Sequence, residues 1–268
     1  MSLGERTLVM GVLNVTPDSF ADGGRHFEMG AALTRAREMI SEGVDIIDVG
    51  GESTRPGSDR ITFEEERDRT IPVVEALREL GAVISIDTTR SEIAKLAIAA
   101  GATYVNDISG GLSDSEMPAV IAAHPEVQYI AMHWRGESKE MQSRASYKSV
   151  VDEVRQELEE RADSLIAAGI RPEQLILDPG IGFAKTGEHN WELLRNIDRL
   201  QLLGYPILVG VSRKRFLGDL VGAENPDDRD FATIALTTEM ARKGVWGVRT
   251  HSVKPHVDAI AVVKELLG

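Results

Sequence analysis

Residues 81–89 read GAVISIDTT, a glycine and a short, mostly apolar run that ends in an aspartate. The run is rich in β-branched residues, which is typical of a strand covered on both faces of a parallel sheet. A glycine just before such a run is typical of the left-handed residue that closes a helix. The stretch therefore predicts a helix end at Gly81, a buried strand, and Asp87 at the carboxyl end of that strand.

The same arrangement recurs along the chain. Eight runs of this kind follow one another: TLVMGVL (7–13), VDIIDVG (44–50), AVISID (82–87), TYVNDI (103–108), VQYIAM (127–132), QLILDPG (174–180), PILVGVS (206–212) and WGVRTH (246–251). Amphipathic segments of helical length lie between them, and several end on a glycine: Gly43, Gly81, Gly101, Gly169, Gly204 and Gly244.

Eight strands alternating with eight helices in a chain of 268 residues predict an α/β fold, a single-domain (β/α)8 TIM barrel over residues 1–268. A doubly wound open sheet is the alternative, because strand order cannot be read from one sequence. We find no low-complexity linker that would mark a second domain.

Charge and composition exclude several classes of function. The net charge is −13, from 30 basic and 43 acidic residues, so an anionic ligand needs a locally basic pocket and nucleic acid is not an expected partner. The chain has no cysteine, which excludes disulfides and thiolate chemistry. No stretch approaches the ~20 apolar residues of a membrane helix, and we find no leader, so the expected location is the cytoplasm.

Polar side chains gather where the predicted strands end, and in a barrel those ends share one mouth. They are Asn14, Asp48, Asp87, Asn106, Asp107, His133, Asp178, Ser212, Lys214, Arg249 and His251. Each one could instead cap a helix or close a turn, as the stretches IDTTRSE (86–92) and NDISGG (106–111) permit. The repetition on apolar strands, where unpaired polar groups are costly, favours a ligand site.

The chemistry of this set indicates two kinds of ligand. Asp87, Asp178, Asn106 and Lys214 combine acceptors, an amide and an ammonium, which suits a flat heterocycle with an amino-pyrimidinone edge. Lys214 also lies with Arg249 and His251 after the last two strands, where barrels frequently hold phosphate. A solvated basic cluster is the alternative for GVSRKRFLG (210–218).

Two further features have simpler interpretations. The loop GGESTRPG (50–57) is polar and glycine-rich, and its Arg55 could bind a carboxylate. The six histidines show no metal-site spacing, and only His251 and, less clearly, His133 lie where a ligand could bind.

Eight motifs in order resemble those of the dihydropteroate synthase family of folate biosynthesis. They are NVTPDSFADGG (14–24), DVGGESTRPG (48–57), SIDT (85–88), NDISGG (106–111), MHWRG (132–136), DPGIGFAKTGEHN (178–190), GVSRKRFLG (210–218) and VRTH (248–251). The resemblance spans essentially the whole chain.

That resemblance implies a reaction, a cofactor and a site. The reaction joins 6-hydroxymethyl-7,8-dihydropterin diphosphate to 4-aminobenzoate and releases diphosphate with Mg²⁺. The resemblance implies the following roles: Asn14 as metal ligand; Asn14, Lys214, Arg249 and His251 as catalytic; Asp87, Asn106, Met132, Asp178, Phe183, Gly210, Lys214 and Arg249 around the pterin; Asn14, Thr54, Arg249 and His251 at the diphosphate; Thr54, Arg55, Pro56, Phe183, Ser212 and Arg215 at the aminobenzoate.

Three positions depart from the family pattern: Arg215, where many relatives have Ser, Thr250, where an aliphatic residue is common, and Ser252, where Asp is usual. The changes at Thr250 and Ser252 keep open a pterin-binding relative without synthase activity. A methyltetrahydrofolate methyltransferase, which shares a similar barrel, is a second alternative. The resemblance also implies a homodimer, and the glycines of the loop over residues 14–28 suggest a lid.

Overall fold

The computed structural model describes residues 6–15, 24–52, 60–136 and 141–268, and for residues 24–28, 141 and 142 it describes the backbone alone. Thr54, Arg55 and Pro56 lie outside these ranges, as does most of the lid predicted over residues 14–28.

Eight parallel strands form one sheet. They are β1 (Leu8–Asn14), β2 (Ile46–Gly50), β3 (Ile84–Asp87), β4 (Tyr104–Asp107), β5 (Gln128–Met132), β6 (Leu175–Asp178), β7 (Leu208–Gly210) and β8 (Gly247–Thr250). Consecutive strands pair from β1 to β6 and from β7 to β8, and β8 pairs with β1. A parallel bridge between Leu177 and Ile207 links the β6 and β7 sides. The sheet thus closes on itself, which confirms the predicted barrel and rules out the open sheet.

The helices surround this barrel. The described residues form α1 (Gly24–Glu42), α2 (Phe63–Glu79), α3 (Ser91–Ala100), α4 (Met117–Ala122), α5 (Val150–Ala167), α6 (Gly187–Arg195), α7 (Ile197–Gln201), α8 (Arg215–Val221), α9 (Asp230–Arg242) and α10 (Lys254–Leu267). The count differs from the predicted eight because two helices lie in each of the β6–β7 and β7–β8 connections. None of the described helices is long and apolar enough to cross a membrane.

The glycines before the strands have the predicted conformation. All six of them, Gly43, Gly81, Gly101, Gly169, Gly204 and Gly244, have positive φ. A side chain is strained in this region, so glycine is the residue that can end a helix there and turn directly into the next strand.

The interior of the barrel carries a small apolar cluster that we call the floor: Met10, Ile46, Ile130, Ile176 and Leu208. These side chains are nearly fully buried and come from five different strands. A larger apolar core fills the space between the outer face of the sheet and the helices. The floor fixes which strand positions point inward, because side chains two residues apart on a strand point to the same face.

Candidate active site

Polar groups begin two residues beyond the floor. On β2 and β6, Asp48 and Asp178 come two positions after Ile46 and Ile176, so both carboxylates point into the barrel. Strand register places Asp87 of β3 beside Asn106 of β4. We call Asp48, Asp87, Asn106, Asp178 and Arg249 the polar layer. Its members come from five strands, as the sequence predicts for a barrel mouth.

Arg249 of β8 joins two carboxylates of this layer. Its Nε lies 2.6 Å from Oδ2 of Asp48, and its Nη2 lies 2.7 Å from Oδ2 of Asp87. Asn106 donates from Nδ2 to the same Asp48 oxygen at 3.0 Å. Asp48 is one of the polar strand residues in the sequence, but no pattern there predicts its role. Its place between Arg249 and Asn106 indicates that it orients two groups of the predicted pterin pocket.

Burial shifts the pKa values of two carboxyl groups of the layer, Asp87 and Asp178, toward the neutral form. Desolvation raises the pKa of Asp87 to about 7, against the opposing charge of Arg249. Desolvation also raises the pKa of Asp178, although its Oδ1 accepts the backbone N–H of Gly180 at 2.7 Å. Such shifts in a cluster of inward-facing groups are typical of a functional site.

Gly210 of β7 leaves open space between two members of the layer. A methyl group built on Gly210 would lie 3.8 Å from Cβ of Arg249 and 4.0 Å from Oδ2 of Asp178. Met132, which pairs in register with Asp178, is buried beside them. The family resemblance implies that both positions lie around the pterin.

Lys214 approaches the site from the turn after β7, where it precedes the first residue of α8. Its Nζ donates to the carbonyl of Ile181 and lies 4.0 Å from the ring centroid of Phe183. Desolvation lowers the pKa of Lys214 to about 7. The structure thus brings Lys214 and Phe183 together, as two of the predicted roles require.

His251 and Ser212 form a pair beyond the end of β8. Ser212 Oγ accepts the backbone N–H of His251 at 3.1 Å and lies 2.9 Å from Nδ1 of the same residue. Desolvation and the charge of Arg249 lower the pKa of His251 to about 3, which favours the neutral ring. In the tautomer whose Nδ1 accepts the Ser212 hydroxyl, Nε2 carries the proton and can donate to an anion.

Asn14 ends β1, the strand that lies between β2 and β8. A methyl group built on Gly50 would lie 3.5 Å from Oδ1 of Asn14 and 3.7 Å from Oδ2 of Asp87. The Asn14 side chain and Asp87 are therefore neighbours across a glycine. Among the described residues, no group of three His, Cys, Asp or Glu side chains could hold a metal ion.

The departures from the family pattern have different surroundings. Arg215 is the first residue of α8, its side chain is 91% exposed, and it lies 3.9 Å from Asp219. The structure does not bring it to the polar layer, and its role at the aminobenzoate stays a prediction. Thr250 is buried, and its hydroxyl donates to the carbonyl of Ser252 at 3.1 Å, which satisfies the added polar group.

Two candidate site residues, Asp107 and His133, have hydrogen-bond partners outside the polar layer. Asp107 accepts bonds from the Ser109 and Gly111 backbones at 2.7 and 2.9 Å, so the turn interpretation holds for this residue of NDISGG, while Asn106 belongs to the layer. His133 lies 2.9 Å from Glu157 and 3.0 Å from Lys185. Sequence reasoning missed Lys185, a buried ammonium whose one signal was its place in the motif over residues 178–190.

Known proteins resemble this chain over nearly all of its length. The pattern of the pterin binding enzyme family matches residues 10–251. A dihydropteroate synthase of Mycobacterium leprae is 48% identical over 261 residues, covering 95% of this chain and 92% of the relative. Two solved Xanthomonas albilineans dihydropteroate synthase structures also match. The one with 4-aminobenzoic acid has a TM-score of 0.93 at 38% identity, covering 100% of this chain and 95% of that chain. The one with 7,8-dihydropteroate has a TM-score of 0.90 at 36% identity, covering 100% and 96%.

Proposed function

The chain belongs to the dihydropteroate synthase family of pterin-binding enzymes, and we propose that it catalyses the reaction of that family. The enzyme joins 6-hydroxymethyl-7,8-dihydropterin diphosphate to 4-aminobenzoate, giving 7,8-dihydropteroate and diphosphate. The observation that carries this proposal is the polar layer itself. Its carboxylates and amide, with Lys214 beside them, supply hydrogen-bond acceptors and donors that complement the edge of a pterin. The chain that carries them is 48% identical to a dihydropteroate synthase.

The pterin end of the site is the polar layer. Asp178 and Asp87 accept N–H groups of the ring, while the Asn106 amide both donates and accepts. Lys214 donates to a ring carbonyl or nitrogen. Met132 and the open face of Gly210 accommodate the flat ring, since a side chain at position 210 would extend between Asp178 and Arg249.

The diphosphate end is formed by Arg249, His251 and Asn14. A guanidinium has five N–H donors, so the bonds of Arg249 to Asp48 and Asp87 leave further donors for a phosphate oxygen. These two carboxylates also hold the guanidinium in one orientation before the ligand binds. The Nε2–H of neutral His251 adds a donor without adding charge.

The Asn14 side chain also fits the predicted Mg²⁺. Its amide oxygen is a hard ligand, and Mg²⁺ in phosphate sites takes one or two protein ligands and completes its shell with substrate oxygens and water. This agrees with the lack of a three-residue metal cluster among the described residues. The chemistry that Mg²⁺ supplies when bound is neutralisation of charge on the departing diphosphate.

The aminobenzoate end lies toward Phe183 and Ser212. Thr54, Arg55 and Pro56, predicted to complete it, are outside the described residues, so this part of the proposal rests on the family resemblance.

In the reaction, the bond between the pterin methylene carbon and the diphosphate oxygen breaks, and diphosphate leaves with the electron pair. The arylamine lone pair then forms the C–N bond, and the new ammonium loses a proton to solvent.

The protein's contribution to this displacement is binding, orientation and exclusion of water. Arg249 and His251 stabilise the charge that grows on the leaving group, and the polar layer holds the pterin in place for attack. No protein nucleophile is required, because the arylamine itself attacks the pterin methylene carbon.

The test of the function is product formation by the purified full chain. With both substrates and Mg²⁺, we expect a product with the mass of 7,8-dihydropteroate and release of one diphosphate per product. Omission of 4-aminobenzoate is the control. Pterin binding without product would instead favour the relative without synthase activity, and methyl transfer from methyltetrahydrofolate would favour the methyltransferase.

The Asn14 role has a separate test. We expect Asn14→Ala to lower turnover far more than it lowers pterin binding, because its oxygen serves the leaving group and not the ring. Mg²⁺ titration of the activity should show a weaker dependence in the variant. Equal losses in turnover and pterin affinity would contradict the assignment.

The homodimer is also a proposal. Large apolar side chains are exposed on three helices at Leu220, Phe231 and Leu266, whose exposed fractions are 65%, 86% and 71%. Exposed apolar residues of this size are typical of contact surfaces. Sedimentation of the wild type against Phe231→Glu tests it, and an unchanged monomeric mass in both would overturn it. The cytoplasmic location stays a prediction.

A further inference from the structure

The contact between Lys214 and Phe183 depends on two turns from different strands. Phe183 follows β6, Lys214 follows β7, and the Lys214 Nζ lies 4.0 Å from the ring centroid. A cation over an aromatic face at this distance is a favourable contact that fixes both side chains. The two turns therefore decide where the ring and the ammonium lie in the site.

Both turns contain a backbone conformation that their residues rarely adopt. Among the described residues other than glycine, positive φ occurs at Ala184 (48°) and at Arg213 (60°). Ala184 directly follows Phe183, and Arg213 directly precedes Lys214. Such residues persist only where surrounding contacts hold them, and they cluster at functional sites.

The second turn shows how such a residue is held. Arg213 forms two bonds to the carboxylate of Asp230, at 2.9 and 3.0 Å. Its own carbonyl accepts a bond from Arg229 at 3.0 Å. Both sides of the strained residue are thus fixed by contacts to the start of α9.

The turn at Ala184 is fixed by two side chains. The hydroxyl of Tyr147 donates to the carbonyl of Ala184 at 3.0 Å. The Nζ of Lys185 donates to the carbonyl of Phe183 at 3.1 Å. The carbonyls on both sides of the Ala184 nitrogen and Cα are therefore anchored, and rotation of this peptide segment breaks at least one bond.

Lys185 is itself held by a chain of contacts that leads to α5. Its Nζ lies 3.0 Å from Nδ1 of His133, and Nε2 of His133 lies 2.9 Å from Oε2 of Glu157. An ammonium can only donate, so Nδ1 accepts and Nε2–H donates to the carboxylate. Arg135 also donates to Glu157 and lies 3.9 Å over the Tyr147 ring. Both anchors of the turn therefore belong to one cluster.

The position of Lys185 has a cost that packing does not explain. The residue is 3% exposed and bonds an imidazole and a carbonyl, and the nearby charges of Asp178 and Glu157 do not offset its desolvation, which lowers its pKa to about 7. Burying an ammonium without a carboxylate partner is unfavourable. A residue kept in such a place serves the turn that it holds.

We propose that Lys185 and Tyr147 are positioning residues that hold the strained Phe183–Ala184 turn, so that the Phe183 ring is fixed against Lys214 before 4-aminobenzoate binds. This inference rests on the proposed function for the identity of that substrate. Neither residue needs to touch a substrate.

The first test is the loss of one anchor. Lys185→Met removes the donor to the Phe183 carbonyl and keeps the side-chain volume. We expect the KM for 4-aminobenzoate to rise about tenfold, the factor that follows from losing one hydrogen bond of a charged group, with a smaller change in the KM for the pterin diphosphate. Tyr147→Phe is a milder change of the second anchor and should raise the same KM about threefold.

The sharper test is rescue. Glycine adopts positive φ without strain, so Ala184→Gly should leave the turn in place when its anchors weaken. We expect the double variant Lys185→Met/Ala184→Gly to recover part of the KM for 4-aminobenzoate that Lys185→Met loses. A double variant with the same KM as Lys185→Met would overturn the positioning role.

The matched control is Tyr129→Phe. It removes a buried hydroxyl that donates to Asp107 at 2.8 Å, outside the turn. We expect it to lower stability without a selective change in the KM for 4-aminobenzoate. If Tyr129→Phe raises this KM as much as Lys185→Met does, the effect is general loosening and the proposal fails.

A crystal structure of Lys185→Met separates this inference from the proposed function. The distance from Lys214 Nζ to the Phe183 centroid should exceed the ~6 Å limit of such contacts in the variant, whether or not the protein has synthase activity. An unchanged distance would overturn the inference alone. A displaced ring in a chain without synthase activity would support the positioning role and overturn the proposed function.

Discussion

The floor and the polar layer share two strands, β2 and β6, on which their members lie two residues apart, and they differ in almost every physical respect. Ile176 and Asp178 of β6 point to the same interior, yet one belongs to a dry apolar cluster and the other to a group of buried charges. The floor gains free energy from burial, whereas burial shifts the pKa values of Asp87, Asp178 and Lys214 toward their neutral forms. Stability and ligand binding are thus separated along β2 and β6.

The largest expected effect is on the floor. Ile176→Ala leaves a cavity among five strands, so we expect the free energy of unfolding to fall by about 2–5 kcal/mol. Catalysis by the remaining folded protein should change little, because the residue does not reach the polar layer. Urea unfolding and steady-state kinetics at a temperature where the variant is folded measure both quantities. A loss of kcat/KM without a loss of stability would contradict the separation.

The second prediction is a loss of activity without a loss of stability, and it concerns another residue of β6. Asp178→Asn keeps the shape but replaces a charged acceptor, so kcat/KM should fall about 10²-fold, as expected for the loss of a charge-assisted pair of hydrogen bonds. Stability should stay the same or rise, since burial raises the pKa of Asp178 and so disfavours its ionised form. A large loss of stability in urea would show that the carboxylate supports the fold.

Substitutions at two glycines distinguish the polar layer from the floor. Gly210→Ala adds a methyl group near Arg249 and Asp178, so we expect the KM for the pterin diphosphate to rise about tenfold, as for a misfitted methyl group, with little change in stability. Gly247→Ala adds one 3.3 Å from the floor residue Leu208, and it should lower stability and leave KM unchanged. Steady-state kinetics and urea unfolding of both variants test this. Equal changes in KM and in stability for the two variants would contradict the separation of floor and polar layer.

The last prediction concerns pH. Burial lowers the pKa of Lys214 to about 7, so the folded state binds fewer protons than the unfolded state up to the ordinary lysine value of about 10.4. The free energy of unfolding should therefore rise with pH across this window, and Lys214→Met should flatten the rise. Burial also lowers the pKa of Lys185 to about 7, so Lys185 preserves part of this rise in the variant.

The control for the pH effect is Lys95→Met on the exposed side of α3, which should leave the slope unchanged. Urea unfolding at several pH values between about 7 and about 10 measures all three proteins. A slope in Lys214→Met equal to that of the wild type would mean that this ammonium is not desolvated.

Much of the fold follows from local pattern. Each apolar run became a strand, and the glycines before the runs have the positive φ that a helix-to-strand turn requires. The connection between β7 and β8 contains two helices, α8 and α9, which are separated by the left-handed Gly222 and by a turn that contains Pro226, so the number of helices exceeds the predicted eight. Closure of the barrel depends on strand pairing, which no single segment encodes.

The site was predictable where one residue ends one strand. Asn14, Asp87, Asn106, Asp178 and Arg249 lie at the mouth as expected. The support behind them was not predictable, since Asp48 acts through Arg249 of β8, and Lys185 acts on a turn whose strain appears only in the backbone. Arg215 follows Lys214 directly in the sequence, but its side chain is exposed, and its role at the aminobenzoate stays a prediction.

One measurement tests the account most directly: the initial rate of 7,8-dihydropteroate formation by the wild type, Ile176→Ala and Asp178→Asn, each folded, at low substrate concentration. We predict product from the wild type, a rate within about twofold of it for Ile176→Ala, and a rate about 10²-fold lower for Asp178→Asn. No product from the folded wild type, or equal losses in the two variants, would contradict the account.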